Sequence, residues 1–334
     1  MSIDVAIIAD DLTGALDTSV PFVLAGKRVA AATRPSGLPA ALASGAAIVV
    51  ANTGSRGFDA GEAATEVRAA AELLRKAEPR IVFKKIDSRL KGNVGAEARA
   101  LAESFGLADL VVAPAVPDQK RMTVGGAVIG HGVDTPIRIA PHFDGLSTRI
   151  VDAETADDIA QATRETDWSR TLAVGARGFG VVLAGTASAA PARFAPDTTT
   201  LFAIGSRDPI TESQIAALDG VDGTAGRLPA LMRPEGPLDA QKLERFADEV
   251  AAAVDRLRPT TLVMSGGDTA LAILDRLGVD LVFPLGEAGA GLPFFLIAHE
   301  NHPSIRCVVK SGGFGDGAAL AALLPPKSGD QSHG

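Results

Sequence analysis

Lys84, Lys85, Arg89 and Lys91 crowd into one short segment, together with Asp87, Ser88 and Asn93, in a chain whose net charge is −8. Cations clustered in an acidic protein suit a carboxylate or phosphate ligand through charge-assisted hydrogen bonds, against the alternative of a solvated surface loop. Arg56 and Arg121 each follow another apolar run and are expected on the same edge. Asp10 and Asp11, with Thr13 just beyond, suit a general base, a water-mediated Mg²⁺ contact or a helix cap. A different chemistry is written in Ser265-Gly266-Gly267-Asp268-Thr269 and Ser311-Gly312-Gly313-Phe314-Gly315. Each follows an apolar run and precedes a helix-like stretch, where free backbone N–H groups and the helix dipole favour an anion. Two such loops point to the phosphates of a nucleotide, although the lysine of a P-loop is absent. Gly205-Ser206-Arg207 is a third, weaker candidate.

These residues need elements to hold them. Val5–Ala9, Ala47–Val50, Arg80–Lys84 and Leu110–Ala113 are short apolar runs, and the first three lead into segments with helical spacing, at Ala15–Ala25, Ala60–Lys76 and Gly95–Phe105. This alternation predicts a parallel sheet with helices on its faces. Ligands collect outside the carboxyl ends of such strands. Asp10, Asp11, Thr13, Asn52, Ser55, Arg56, Lys85, Asp87 and Ser88 all qualify by that position. The stretch from Thr123 to Pro141, rich in Gly, His and Pro, reads as a loop. A second series of apolar runs begins near Arg149 and continues through Thr171–Gly175, Leu201–Ile204, Thr261–Ser265 and Cys307–Lys310. The expected organisation is α/β with two domains, 1–145 and 146–325, each a mostly parallel sheet flanked by helices, with a frayed tail at 326–334.

Composition removes several classes. The 334 residues are 46% hydrophobic and 22% charged, enough to build two cores. Net negative charge, with 13 Phe, one Trp and no Tyr to stack bases, argues against a nucleic-acid partner. The single Cys307 excludes an internal disulfide and a cysteine-based zinc site, and sits in a run that predicts a buried thiol. His131, His142, His299 and His302 lack metal-binding helical spacing. Leu281–Ala298 is broken by Glu287, Gly and Pro and falls short of a membrane span. With no basic, apolar leader at Met1, a cytoplasmic protein without a membrane partner is expected. A dinucleotide-dependent oxidoreductase is disfavoured, since no Gly-x-Gly-x-x-Gly turn follows the first strand.

In order along nearly the whole chain, these motifs resemble the four-carbon acid sugar kinases, which include threonate, erythronate and 3-oxo-tetronate kinases. Ala9-Asp10-Asp11-Leu12-Thr13-Gly14-Ala15, Lys85-Ile86-Asp87-Ser88 through Gly92-Asn93, and Pro114-Ala115-Val116-Pro117 with Arg121 and Thr123 are similar to that family's sugar-acid motifs. Gly205-Ser206, Gly266–Ala270 and Lys310–Gly315 resemble its ATP motifs. The resemblance implies ATP on Ser206, Ser265, Gly266, Gly267, Asp268, Thr269, Ser311, Gly312, Gly313 and Gly315. It places a sugar acid on Asp10, Thr13, Ser55, Arg56, Lys85, Ser88, Arg89, Lys91, Asn93 and Arg121, and the reaction in a closing cleft between the domains. Mg²⁺ would bridge the phosphates. Arg56, Lys85, Arg89 or Lys91 would clamp the acid's carboxylate, and Asp11 or Asp87 would take the hydroxyl proton. A nonenzymatic sugar-acid sensor on the same scaffold is the alternative. One departure stands out: the family commonly has Asp-Ser-Thr-Leu-Arg-Gly-Asn, whereas Arg89 replaces the Thr here and Lys91 the Arg. The chain is also shorter than is typical, with the gap expected between about Pro136 and Val151.

Overall fold

Short runs of branched and small apolar residues form strands buried on both faces, as a sheet covered by helices requires. In the computed structural model, residues 2–186, 192–195, 199–219, 230–236, 238–299 and 302–324 are described. The chain separates into two compact units, Met1–Ala190 and Pro191–Gly334.

The first unit alternates strands and helices: β1 (Val5–Ala9), α1 (Leu12–Leu24), β2 (Val29–Ala32), α2 (Leu38–Ala43), β3 (Ile48–Asn52), α3 (Ala60–Leu74), β4 (Ile81–Lys85), α4 (Val94–Phe105) and β5 (Asp109–Ala113). There follow β6 (Arg121–Val124), β7 (Ala127–Gly130), β8 (Ile137–Arg138), β9 (Ser147–Ile150), α5 (Ala156–Arg164), β10 (Thr171–Gly175) and α6 (Arg177–Ala184). Its parallel sheet runs β2-β3-β1-β4-β10-β5-β9. Register aligns the carboxyl ends, with Ala9 beside Asn52 and Lys85, Lys85 beside Gly175, and Gly175 beside Ala113. Every loop that leaves this edge therefore starts from the same line.

Two expectations are corrected. The stretch from Thr123 to Pro141 contains an antiparallel sheet, β6-β7-β8, whose Gly125 and Gly126 take left-handed φ at the tight turn. Glycine and proline there mark short hairpins rather than the absence of structure. The division at 145 is also displaced, because β9, α5, β10 and α6 complete the first unit, with β10 inserted between β4 and β5. An apolar run announces a strand but not the sheet that accepts it.

The second unit contains β11 (Thr200–Ile204), α7 (Pro209–Asp219), β12 (Ala230–Met232), α8 (Ala240–Leu257), β13 (Thr261–Ser265), α9 (Gly267–Arg276), the two-residue β14 (Leu281–Val282), β15 (Pro284–Glu287), β16 (Pro293–His299) and β17 (His302–Lys310). Its sheet runs β12-β11-β13-β17-β16-β15. The first four strands are parallel, and β16 and β15 add antiparallel. Ile204, Ser265 and Lys310 stand side by side, so the three glycine-bearing loops leave one edge together. Phe202, Ile204, Val263, Phe294 and Val308 build the core below with Leu320 and Leu323. Cys307 is buried, which pushes its thiol pKa up. The tail expected to fray, 326–334, lies outside the described residues.

Candidate functional site

At the edge of the first sheet, Asp10 and Asp11 follow β1 and meet Arg56, which follows β3. Arg56 Nε and Nη2 bond the two oxygens of Asp10 at 2.8 and 2.9 Å, and Nη1 bonds Asp11 at 2.7 Å. Burial would raise the pKa of Asp10, but Lys84, Arg56 and Lys85 outweigh it and hold the carboxyl below its ordinary value. Burial likewise opposes the Arg56 charge, and the two aspartates more than restore it. Arg56 is thus largely neutralised before any ligand arrives. Gly92, at φ 86°, lies against this pair, and a Cβ there would sit 2.9 Å from Asp10 Oδ2.

Asp11 is the N-cap of α1, accepting from Gly14 N at 2.9 Å and from Thr13 Oγ1 at 2.5 Å. With Arg56 added, both its oxygens are occupied, so Asp11 and Thr13 serve the helix start. Ser55 is fully buried and donates to Glu97 at 2.6 Å, and Glu97 pairs with the fully buried Lys84 at 2.8 Å. Asn93 donates to Phe58 O at 2.9 Å. Ser55, Asn93 and Lys84 therefore tie β3, β4 and α4 together.

The remaining expected residues keep polar capacity. Lys85 is buried among Asp10, Asp17 and the first turn of α1, where it donates to Ile86 O at 3.0 Å. Its ammonium can approach because residue 14 is glycine: a Cβ there would lie 2.9 Å from Nζ. Asp87 is half-buried, and Oδ1 accepts from Arg89 N at 2.8 Å. Leu90, buried at φ 59°, bends the loop that carries Arg89 and Lys91. A non-glycine residue in that region costs about 1–2 kcal/mol, a strain typical of functional loops. Arg121, which begins β6, donates to His131 O at 3.0 and 2.9 Å and to Ser88 Oγ at 2.6 Å. Burial lowers its pKa, Arg89 adds to that effect, and Asp87 opposes it.

A further ion cluster on the same edge escaped the sequence reading. Arg177 opens α6 and bonds Asp17 Oδ1 at 2.8 Å, with Asp118 Oδ2 3.9 Å away. Burial raises the pKa of Asp17 despite Arg177 and Lys85. Arg177 follows a strand end like the others, so the same rule pointed to it once β10 was assigned to this sheet.

In the second unit, α9 starts at Gly266, whose φ of 105° suits glycine, and no side chain caps that end. Neither Asp268 nor Thr269 takes the cap, so the first-turn N–H groups stay open to an anion. The glycine backbones of these loops pack against side chains of their neighbours. A Cβ on Gly205 would fall 2.0 Å from Thr269 Oγ1, and one on Gly312 would fall 2.3 Å from Ser206 Oγ. Gly313 lies beside Asp208, and Gly315 has φ 85°. Ser265 Oγ is buried without a hydrogen-bond partner among the described residues. Lys310, which the sequence placed in the ATP motif without a role of its own, underlies the last loop. Lys310 Nζ, on a fully buried residue, donates to Thr211 Oγ1 at 3.0 Å, Ser311 O at 3.1 Å and Gly312 O at 2.9 Å. Burial lowers its pKa to about 8, with Asp208 opposing. Gln214 holds Phe314 O and Asp316 O at 3.0 and 2.7 Å. Glycine cradles, an uncapped helix start and an orphaned hydroxyl fit a polyphosphate. Among the described residues no group of three His, Cys or acidic side chains forms a metal cage, and no helix is long and apolar enough to cross a membrane.

Comparison with known proteins agrees with this division of labour. The family profile of a sugar-binding N-terminal domain matches residues 5–143, and that of a nucleotide-binding C-terminal domain matches residues 230–320. A D-threonate kinase of Bordetella bronchiseptica is 26% identical across 93% of this chain and 94% of its own. A 3-oxo-tetronate kinase of Methylobacterium radiotolerans is 27% identical across 94% and 97%. A D-threonate kinase of Salmonella typhimurium is 35% identical over 150 residues, a match that spans 44% of this chain and about a third (35%) of that one. A solved structure from Salmonella typhimurium shares the fold with TM-score 0.73 and 18% identity, covering 96% of this chain and 98% of that one. The two profiles together span most of the chain in the expected order, and the chain belongs to the four-carbon acid sugar kinase family.

Proposed function

We propose that this protein transfers the γ-phosphoryl group of ATP to a hydroxyl of a small, four-carbon-type sugar acid. The observation that carries the reading is the alignment of Ile204, Ser265 and Lys310, which sends three glycine-bearing loops off one edge beside an uncapped helix start. Relatives named D-threonate and 3-oxo-tetronate kinase over nearly the full chain support the acceptor class.

Phosphoryl transfer asks a protein for positioning and charge neutralisation more than for covalent chemistry. The N–H groups of the α9 start and of Gly312 and Gly313 would receive the phosphates, with Ser206, Ser265 and Thr269 supplying hydroxyls. Charge neutralisation beyond these donors would be supplied by Mg²⁺ bound with the nucleotide. In the first unit, Lys85 is the leading partner for the acid's carboxylate: it is buried, and among the described residues only one of its three donors is taken. Arg121 and Arg89 extend the cationic wall, with Lys91 exposed at its rim. Arg56 falls behind, since Asp10 and Asp11 already hold it.

Asp87 is the better base. Its Oδ1 receives one backbone N–H, and no other hydrogen bond to it occurs among the described residues, whereas every oxygen of Asp11 is engaged. A carboxylate with a free lone pair can accept the hydroxyl proton as the oxygen attacks phosphorus. ADP release from Mg-ATP across threonate, erythronate and their oxo forms tests the reading. Acid-dependent ADP names the substrate, while nucleotide binding with a flat panel would favour a sensor.

A further inference from the structure

Arg89 and Arg121 present an unusual pair. Nη1 of Arg89 and Nη2 of Arg121 lie 3.8 and 3.4 Å from the same point beside Gly132, where a Cβ would stand. Arg121 is nearly buried and fixed by His131 O and Ser88 Oγ, so its guanidinium cannot swing away. Arg89 makes no side-chain hydrogen bond or ion pair among the described residues, and its charge disfavours that of Arg121. Asp87 is the carboxylate that offsets Arg121, and it also faces Arg56. Arg121 thus shares Asp87 with Arg56, and the Arg89 guanidinium has no carboxylate partner among the described residues. Guanidinium pairs of this kind suit a planar anion that takes parallel N–H bonds.

We propose that Arg89 and Arg121 receive a second carboxylate of the substrate, so that this enzyme selects dicarboxylic sugar acids over monocarboxylic ones such as threonate. The inference rests on the sugar-acid reading of the first unit. Lys85 lies deep beside Asp10 and Asp17 and serves one carboxylate, whereas the arginine pair stands at the far end of the Asp87–Arg89 turn. The Arg89 guanidinium ties no element of the first unit in place, since it makes no side-chain hydrogen bond or ion pair among the described residues. A second acid group on the substrate accounts for it.

Calorimetric titration of the full-length protein with D-threonate, meso-tartrate and a five-carbon aldarate, without nucleotide, tests the proposal in the wild type and in Arg89→Thr. The expected result is that a dicarboxylate binds the wild type roughly tenfold or more tightly than threonate. In Arg89→Thr that preference should collapse while the melting temperature holds. Equal binding in the wild type, binding of no acid by the folded protein, or loss of both classes by the same factor in Arg89→Thr would overturn it. Dicarboxylate preference without ADP formation would keep this inference and remove the kinase reading, so the two fail separately.

Discussion

Asp11 and Asp87 look equivalent as acids at strand ends, and their hydrogen bonds separate them. Asp11 caps α1 and grips Arg56, while Asp87 retains a lone pair beside cations. Asp87→Asn should lower kcat by about 10²–10⁴-fold with little change in melting temperature. Asp11→Ala should chiefly destabilise, by about 1 kcal/mol for the cap. Steady-state kinetics beside thermal melts check both, and full turnover in Asp87→Asn would contradict the assignment. Lys310 offers a second handle. Below pH 8 its ammonium draws in the carbonyls of Ser311 and Gly312, and above pH 8 that hold is lost. KM for ATP should therefore rise above pH 8, and in Lys310→Met it should be high throughout and lack that limb. Fold stability moves the opposite way: the pKa is depressed, the unfolded lysine keeps its proton to about 10.4, and this group's contribution rises between the two values. Asp10, Lys85 and Asp87 were legible as strand-end residues because position alone selects them. The capture of Arg56 by two aspartates was not, since it depends on β1 lying beside β3.

At the scale of elements, the site rests on a buried bracket between β4 and α4. Lys84 and Glu97 meet at 2.8 Å with essentially no exposure, and Ser55 adds β3 through Glu97. Removing one partner of such a pair leaves an uncompensated buried charge, which costs about 3–5 kcal/mol. Glu97→Ala should lose that much in denaturant unfolding, and a loss below about 1 kcal/mol would show that Lys84 finds water. The βα cadence was readable because apolar runs and helical spacing are local signals. The β6-β7-β8 sheet was not, since its strands are only 2–4 residues long and separated by glycine turns. The insertion of β10 between β4 and β5 was equally hidden, and the expected division fell at 145 rather than after Ala190.

For the whole molecule, each unit repeats one device: a parallel sheet that delivers its loops to the carboxyl edge, cationic in the first and glycine-rich in the second. That each unit carries its own strand-end motifs was legible, since each motif is a short local run after an apolar stretch. The choice of acid was not, because it depends on where guanidinium groups come to rest. The proposed function asks a chain of net charge −8 to accept two anionic ligands, which a local concentration of donors permits. Transfer of the phosphoryl group from ATP to the acid is read out by ³¹P NMR of the protein with Mg-ATP and each acid. ADP and a new phosphomonoester resonance are expected in a one-to-one ratio. ADP with only inorganic phosphate, or intact ATP with every acid despite nucleotide binding, would contradict it.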